Sequence, residues 1–517
     1  YIKPVSEIYT QSTEVKRMVV IMSVLAFALL FVAAMNYILN SVSSLPIRAR
    51  SVGVHKCNGA SSKDIFNMFL FETAALFVVA LVCMALLLFA FREYVADMVA
   101  VPTLGTLLNA QTIWLPAIMI LAIFILSALL PARLFSVIPV TQVFRVSTSG
   151  KQGWKRSLLF IQFGGIAFVI TLLVIVLLQY DRLMNNDLGY DPENIVYAPL
   201  NNMDDQKAAK LTAEFKKLPY VTATGLSSMD ILSGYGGFPI LDNEKNWLFT
   251  ARQVNYDADY LSLMKIPLLE GQPLKGDGDI LVNESFVSKR GWTDAAIGKY
   301  IYDDEGNLKG KIVGVTRDFM VNSFFTPQLP VIMFGSDRMS YCNFTVRVSE
   351  LTPEYLREMN DKIAELFPNE DVGFTVLKTI IESQYEGTRH FRDGVFVASI
   401  AILLITLMGL LGYITDEMHR RSKEIAIRKV NGATAPNILR LLSKDVLITA
   451  FPAILLGVIA SRVVGESWLR QFADKIPLTV FIFISTALLV LAIIWGCVIL
   501  KSWNIANENP VRSIKNE

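Results

Sequence analysis

The hydrophobic and polar positions of the chain fall into long apolar blocks separated by short charged loops, with one wide polar interruption. Apolar runs of about 20 residues, the length a helix needs to cross roughly 30 Å of hydrocarbon, lie near Met18 to Leu39, Met68 to Phe91, Trp114 to Leu130, Leu158 to Leu178, Gly394 to Ile414, Val446 to Val463 and Leu478 to Leu500. Seven membrane spans are predicted. The third and sixth are short or carry prolines, Pro116 and Pro452, which blurs their limits. Tyr180 to Asp393 contains no spanning run and is expected to be a soluble domain.

Inside that insert the period changes. The segments NIVYAPL, DILVNESFV, GKIVGV, PVIMF and NFTVRVS read as strands, whereas DDQKAAKLTAEFKKL and TPEYLREMNDKIAELF carry helical spacing and strong helix formers. Turn signals at Gly189, DDEGN and FPNED separate them, so the insert reads as mixed α/β. No Ser-His-Asp set, paired-carboxylate signature or phosphate-cradling glycine loop stands out, and a binding or transmitting domain fits better than an enzyme.

Composition agrees with a membrane protein. With 53% hydrophobic and 18% charged residues among 517, and a mean hydropathy of +0.44, the chain is too apolar for a soluble globule of this length. A net charge of +2 provides no global field for nucleic acid. Cys57, Cys83, Cys342 and Cys497 lack CxxC spacing, and His55, His390 and His419 lack metal-ligand spacing, so neither a disulfide framework nor a metal site is indicated. No cofactor is expected in the chain. Tyr1 is neither an initiating Met nor the start of a signal peptide, and the sequence is expected to begin inside a longer protein.

Lys and Arg in the short loops set the orientation, because positive segments resist translocation. The loop after the first span holds Arg48, Arg50, Lys56 and Lys63; that after the third, Arg133, Arg145, Lys151, Lys155 and Arg156; that after the fifth, Arg420, Arg421, Lys423, Arg428, Lys429, Arg440 and Lys444. These are predicted to be cytoplasmic. The nearly neutral connections after the second and sixth spans, with the N-terminal segment and the insert, then lie outside.

Two of the basic loops are related. Placing Arg48 on Arg421 aligns RARSVGVHKCNGA with the second loop's RSKEIAIRKVNGA, so that Lys56 meets Lys429, Asn58 meets Asn431, Gly59 meets Gly432 and Glu72 meets Asp445. SVIPVTQVFR and NENPVRSIK then close their halves in parallel, and two homologous halves follow. Each motif reads as a helix, a break and a second helix along the membrane surface. Arg428 and Lys429 suit the carbonyl end of the first piece, Gly432 suits a left-handed cap, and Thr434 with Pro436 suits a restart. Gly59, Ser61 and Asp64 do the same in the first copy. Ile438, Leu441 and Leu442, like Ile65, Met68 and Phe69, recur at helical spacing and are expected to face lipid.

Charge alone would make these loops topological anchors against anionic lipid. Topology, however, needs only Lys or Arg, whereas the repeat also keeps a glycine, an asparagine and an ordered apolar stripe. An elbow of defined shape points to docking on a protein.

The segments RRSKEIAIRKVNGA, NYILN, the NPV near the C-terminus, ILVNESFVSKRGW, AAIGKYI and IVGVTRDFMVNSF together resemble the FtsX-like, MacB-type ABC transporter permeases, in the two-repeat form common in Bacteroidota. The resemblance covers essentially the whole chain. It implies an α-helical membrane protein with two homologous transmembrane halves and a mixed α/β, MacB-type extracytoplasmic domain. It divides the chain into 1–17, a remnant of a first extracytoplasmic segment; 18–156, a first membrane half of three spans plus linker; 157–184, the first span of the second half; 185–393, the α/β domain; and 394–517, three further spans and a tail. One further span and a first extracytoplasmic domain before Tyr1 are also implied.

By the same resemblance each elbow is a coupling helix that seats on a separate ABC ATPase dimer, which would hold ATP and Mg. The residues carried over are Glu424, Ile427, Arg428, Lys429 and Gly432 in the second copy, and Val54, His55, Lys56 and Gly59 in the first. Ser51 and His55 replace the acidic and arginine positions of the family pattern. The chain itself lacks a Walker A pattern, since GNLKGK at Gly306 has the wrong spacing, and no enzyme activity is expected of it. The implied function is ATP-driven mechanotransmission for export or for lipoprotein, peptide or drug translocation across a bacterial inner membrane, with periplasmic or outer-membrane partners. The alternative is a regulatory protein that moves an extracytoplasmic partner without transport. A membrane-tethered binding module is the non-ABC rival, and an ion-coupled transporter is disfavoured because the span centres lack charged residues.

Single residues have plainer readings. Asn283 and Asp318 suit turns or caps, and Trp154, Lys155 and Arg156 an interfacial anchor. Glu72 and Asp445 suit either pairing with the elbow's cations or capping the start of a span.

Overall fold

The computed structural model describes residues 13–43, 45–98, 105, 109, 113–136, 153–203, 205–232, 236–242, 244–292, 295–321, 327–335, 341–368 and 371–506. The N-terminal segment up to residue 12, the closing segments SVIPVTQVFR (beyond Ser136) and NENPVRSIK, and the side chains of Trp154 and Lys155 lie outside the described residues. Two compact units emerge: a helical one comprising Tyr1–Tyr180, Thr388–Arg470 and Ile476–Glu517, and a sheet-containing one comprising Asp181–Gly387 with Gln471–Lys475.

The helical unit contains α1 (Thr13–Ser43), α2 (Leu45–Cys57), α3 (Ser62–Ala90), α4 (Arg92–Met98), α5 (Trp114–Ser136) and α6 (whose helix, Gly153–Asn185, runs past the unit's limit). Seven helices among the described residues are long and apolar enough to span a membrane: Val19–Ile38, Ser62–Ala90, Pro116–Arg133, Arg156–Asn185, Glu386–Met418, Ala435–Leu469 and Val480–Trp503. The protein is an α-helical membrane protein. The helices that carry the spans run longer than the apolar runs alone suggest, because they continue into polar flanks once their backbone hydrogen bonds are propagating.

In the sheet unit the elements are β1 (Ile195–Met203), α7 (Asp205–Phe215), β2 (Val221–Ser227), β3 (Gly236–Leu241), β4 (Trp247–Tyr256), α8 (Tyr260–Met264), β5 (Leu268–Gly271), β6 (Asp279–Asn283), α9 (Glu284–Arg290), β7 (Tyr300–Tyr302), β8 (Leu308–Thr316), β9 (Val331–Gly335), β10 (Tyr341–Val348), α10 (Pro353–Leu366), β11 (Thr375–Val376) and α11 (Leu377–Gln384). Their order in the sheet is β11-β1-β10-β2-β4-β9-β6-β8-β5, with β3 on β4 and β7 on β8. Most pairs are antiparallel, whereas β4 with β9 and β6 with β8 run parallel. The mixed α/β reading of the insert is correct.

Its helices begin where side chains take up free backbone N–H groups. Thr352 accepts from Tyr355 N at 3.2 Å and Pro353 occupies the first turn of α10, which turns Met359 and Ile363 into the core. One expectation needs correction: in DILVNESFV only Asp279–Asn283 is strand. Asn283, fully buried, accepts from Phe286 N at 3.0 Å and from Val331 N at 2.8 Å, so it ends β6 and caps α9 in one stroke. Asp318 accepts from Ser285 N and Oγ at 2.9 and 2.6 Å, a second cap on the same helix.

Two cores hold the sheet. One packs β1, β2 and β10 against α7 and α10, with Phe344 edge-on to Phe215 at 5.1 Å. The other gathers β3, β4, β6, β8 and β9 around Phe286, which meets Phe249 at 5.6 Å. The helical unit continues with α12 (Glu386–Arg420), α13 (Ser422–Val430), α14 (Ala435–Leu469) and α15 (Val480–Ala506).

Truncating Phe344, which is fully buried, is expected to cost about 3–5 kcal/mol, whereas truncating exposed Tyr302 should change stability by less than about 0.5 kcal/mol. Chemical denaturation followed by the sheet's circular dichroism tests the contrast. A pH effect follows from Asp257, whose Oδ2 accepts from Leu226 N at 2.8 Å. Burial pushes its carboxyl up to about 6, so the folded state holds the proton more tightly than the unfolded one. The stability this supplies is complete below about pH 4 and lost as pH rises through about 6. Asp257→Asn keeps the acceptor; above that pH it should unfold at a higher temperature than the wild type, and the gap should close on acidification.

Candidate functional site

The two related loops fold into the same device. α13 is a short helix with Glu424 in its first turn and Arg428 and Lys429 in its last, the polarity that its dipole favours. Arg428 reaches back to Glu424 at 2.8 Å; both side chains are largely exposed, so the pair is worth only about 0.3–0.5 kcal/mol. The helix stops at Gly432, whose φ is +88°. Gly432 N donates to Lys429 O at 3.0 Å and Ala433 N to Arg428 O at 2.9 Å. This crossed pair satisfies carbonyls that a helix end leaves open, and it needs a left-handed residue between them.

The first copy repeats the arrangement bond for bond. α2 ends at Gly59, φ +93°, with Gly59 N on Lys56 O at 3.1 Å and Ala60 N on His55 O at 3.0 Å. The restarts differ. Ser61 and Asp64 form a reciprocal capping box at the head of α3. Thr434 makes no side-chain cap, and α14 has Pro436 in its first turn, where its lack of an N–H costs nothing.

The inner faces also correspond. Val52 and Ile425 occupy equivalent positions, as do Ile65 and Ile438, and all four are buried. Val52 and Ile65 pack with Phe69 and Ala132. The expectation that Ile65, Phe69 and Ile438 face lipid is therefore wrong: each restarting helix turns this stripe into the protein, because the elbow's first helix offers an apolar face to cover it. Met68 and Leu441 are half-buried.

Outward-facing are Val54 and its counterpart Ile427, 54% and 62% exposed, with Val430 at 69%. His55, Glu424, Arg428 and both glycines are exposed as well. Lys56 turns inward, donating to Ser136 O at 2.9 Å at the end of α5, and Lys429 is half-buried. The nine residues named from sequence thus fall on two separate elbows, with Lys56 acting as a tie to the bundle. At the positions of Glu424 and Arg428 the first elbow has Ser51 and His55, which cannot form an ion pair.

Behind the second elbow lies a charge cluster in which Asp445 pairs with a cation of the elbow, as one reading of the sequence allowed, and which also takes in Glu417 and Arg156, which the sequence reading did not include. Arg421, the residue between α12 and α13, pairs with buried Glu417 one turn earlier and with Asp445 on α14; Asp445 also meets Arg156 of α6 at 3.5 Å. The i,i+4 spacing of Glu417 and Arg421 was the available signal. Asp445 stands well inside α14 and Glu72 well inside α3, so neither caps a helix start. Arg156 serves Asp445 and is more than an interfacial anchor.

The sequence model described as FtsX-like permease C-terminal matches the chain twice, over residues 23–140 and 396–510. Among solved structures the chain is similar to the periplasmic region of MacB from Actinobacillus actinomycetemcomitans, at 13% identity over 39% of this chain and 97% of that one, with a TM-score of 0.30. A domain of a permease protein from Porphyromonas gingivalis matches at 14% identity, 37% and 98% coverage and a TM-score of 0.27. The extracellular domain of the noncanonic ABC-type transporter YknZ from Gram-positive bacteria matches at 10% identity, 35% and 99% coverage and a TM-score of 0.26. No curated protein matches the sequence. Each matched stretch of the helical unit contains one elbow with its flanking spans, so each membrane half carries one copy of the FtsX-like permease domain.

Proposed function

We infer that the chain is the transmembrane subunit of an ABC transporter, which seats a separate ATPase dimer on its two elbows and converts that enzyme's ATP cycle into movement outside the bilayer. The observation that carries this reading is the apolar side chain exposed at the same place on both elbows, Val54 and Ile427. A loop that only fixed topology would need cations; it would not need a left-handed glycine stop, a covered inner face and an uncovered outer one. Each outer face is small, a valine or isoleucine edged by polar groups, which suits a shallow socket in a protein partner.

The loop charges support both elbows facing the cytoplasm and the sheet unit lying outside, which in a bacterial inner membrane is the periplasm. ATP and Mg belong to the partner enzyme, while this chain supplies shape and stiffness. When the two ATPase subunits close, the elbows approach, and the spans that begin and end at them tilt. Expulsion of a periplasmic cargo or extraction of a lipoprotein would use that tilt.

The test is to purify the full-length protein with its ATPase and to measure binding and stimulated hydrolysis. Ile427→Asp should weaken ATPase binding roughly 10- to 100-fold, the equivalent of about 1.5–3 kcal/mol of lost apolar burial. Val54→Asp should weaken it less, since its elbow lacks the Glu424–Arg428 pair. Unaltered binding in both would refute the docking role. Gly432→Ala meets no atom within 4 Å, so its effect is conformational: about 1–2 kcal/mol of left-handed strain. It should lower stimulation while leaving the ATPase bound; full stimulation would mean that the bend transmits nothing.

A further inference from the structure

Deep in the helical unit, three helices bring neutral polar side chains together without pairing them. Asn36 of α1 donates through Nδ2 to Ile405 O of α12 at 3.0 Å. Its Oδ1 has no hydrogen-bond partner among the described residues; neither do Gln162 Oε1 and Nε2 on α6, nor Thr406 Oγ1 on α12. Gln162 and Thr406 are fully buried. The two carbonyl oxygens converge on one bare stretch of backbone: a Cβ at Gly409 would lie 2.5 Å from Asn36 Oδ1 and 3.3 Å from Gln162 Oε1. Thr406 stands three residues before Gly409, on the same helix face.

The position is singular in the repeat. The offset that lays Gly59 on Gly432 also lays Asn36 on Gly409, and these two residues touch. Further along the same helices, a Cβ at Gly394 would lie 2.7 Å from Met22 Cε, again with near-equivalent positions meeting. Equivalent residues of two repeats can be neighbours only close to the pseudo-twofold axis that relates them. The cluster therefore sits where the halves meet.

An unpaired buried polar group costs about 1–3 kcal/mol, and hydrocarbon offers it nothing in return. We propose that Asn36, Gln162 and Thr406, around the bare backbone of Gly409, form a niche between the two halves that takes up a neutral guest with both donor and acceptor character, of which water is the smallest. The open groups are two acceptors, one amide donor and one hydroxyl. They match a hydroxyl or amide and provide no charge for an ion. The niche breaks an otherwise apolar crossing and admits solvent there.

Thiol chemistry tests this in the full-length protein in liposomes. With Cys57, Cys83, Cys342 and Cys497 replaced, Gln162→Cys and, separately, Thr406→Cys are exposed to a charged methanethiosulfonate, with Leu404→Cys on the exposed face of the same helix as control. Such reagents attack the thiolate, and each unit by which an apolar setting raises a thiol's pKa removes about tenfold of it. Cysteine at 162 or 406 is expected to react at least about tenfold faster than at 404. Reaction at both positions no faster than the control would overturn the niche. Thr406→Cys nearly preserves shape, so it carries the test if Gln162→Cys fails to fold, which gel filtration will show.

Discussion

A helix cannot end inside or beside hydrocarbon unless its last carbonyls find donors, and this requirement governs the elbows. Both copies meet it with the same crossed pair of backbone bonds, from Gly59 and Ala60 in one and from Gly432 and Ala433 in the other. Because the donors are main-chain N–H groups, the flanking side chains are released from capping duty. They can then sort themselves by face, with Val52 and Ile425 inward and Val54 and Ile427 outward. The left-handed glycine is the one position that the scheme cannot do without, since a Cβ there would strain the backbone even where space is open.

The halves diverge in what braces the bend. In the second, Arg421 ties the junction of α12 and α13 to α14 through Asp445, and Asp445 extends the tie to α6 through Arg156. Three spans are thereby held at one point. In the first, the capping box of Ser61 and Asp64 fixes the restart of α3, and Lys56 fixes the elbow to the end of α5. Each bend is thus held both to its own restarting helix and to a neighbouring span.

How far the sequence revealed this depended on the length scale of each interaction. The spans were visible because a membrane helix is written as one unbroken apolar run, and the glycine stops because Gly, Ser or Thr and Pro recur at fixed offsets. The strands β2, β3 and β4 were not recovered: VTATGLS and GGFPIL hold too few apolar residues, and β2 is fixed by β10, remote in sequence, while β3 is held by β4, which follows it directly. The face of Ile65 and Ile438 was misjudged because helical periodicity gives a stripe without saying what meets it; Val52 and Ile425 settle that only in three dimensions. The tie from Arg421 to Asp445 spans a helix break, and of the two readings open for Asp445 from sequence, pairing with the elbow's cations is the one found; the i,i+4 spacing of Glu417 and Arg421 marked its nearer half.

Length then decides what a braced bend can do. α12 and α14 meet at the second elbow, and each runs for 35 residues, about 50 Å at 1.5 Å per residue against a hydrocarbon core of roughly 30 Å. Neither helix is interrupted within the membrane, although Pro452 removes one backbone donor from α14. A rotation imposed at the elbow therefore cannot be absorbed along such a helix and must reappear at its far end or at its crossing with a neighbour. The crossing of α1 with α12, where Asn36 lies against Gly409, is a place with polar atoms still unpaired. A rearrangement there forfeits fewer hydrogen bonds than at a crossing packed to completion, so displacement of α12 is most easily accommodated on the axis between the halves.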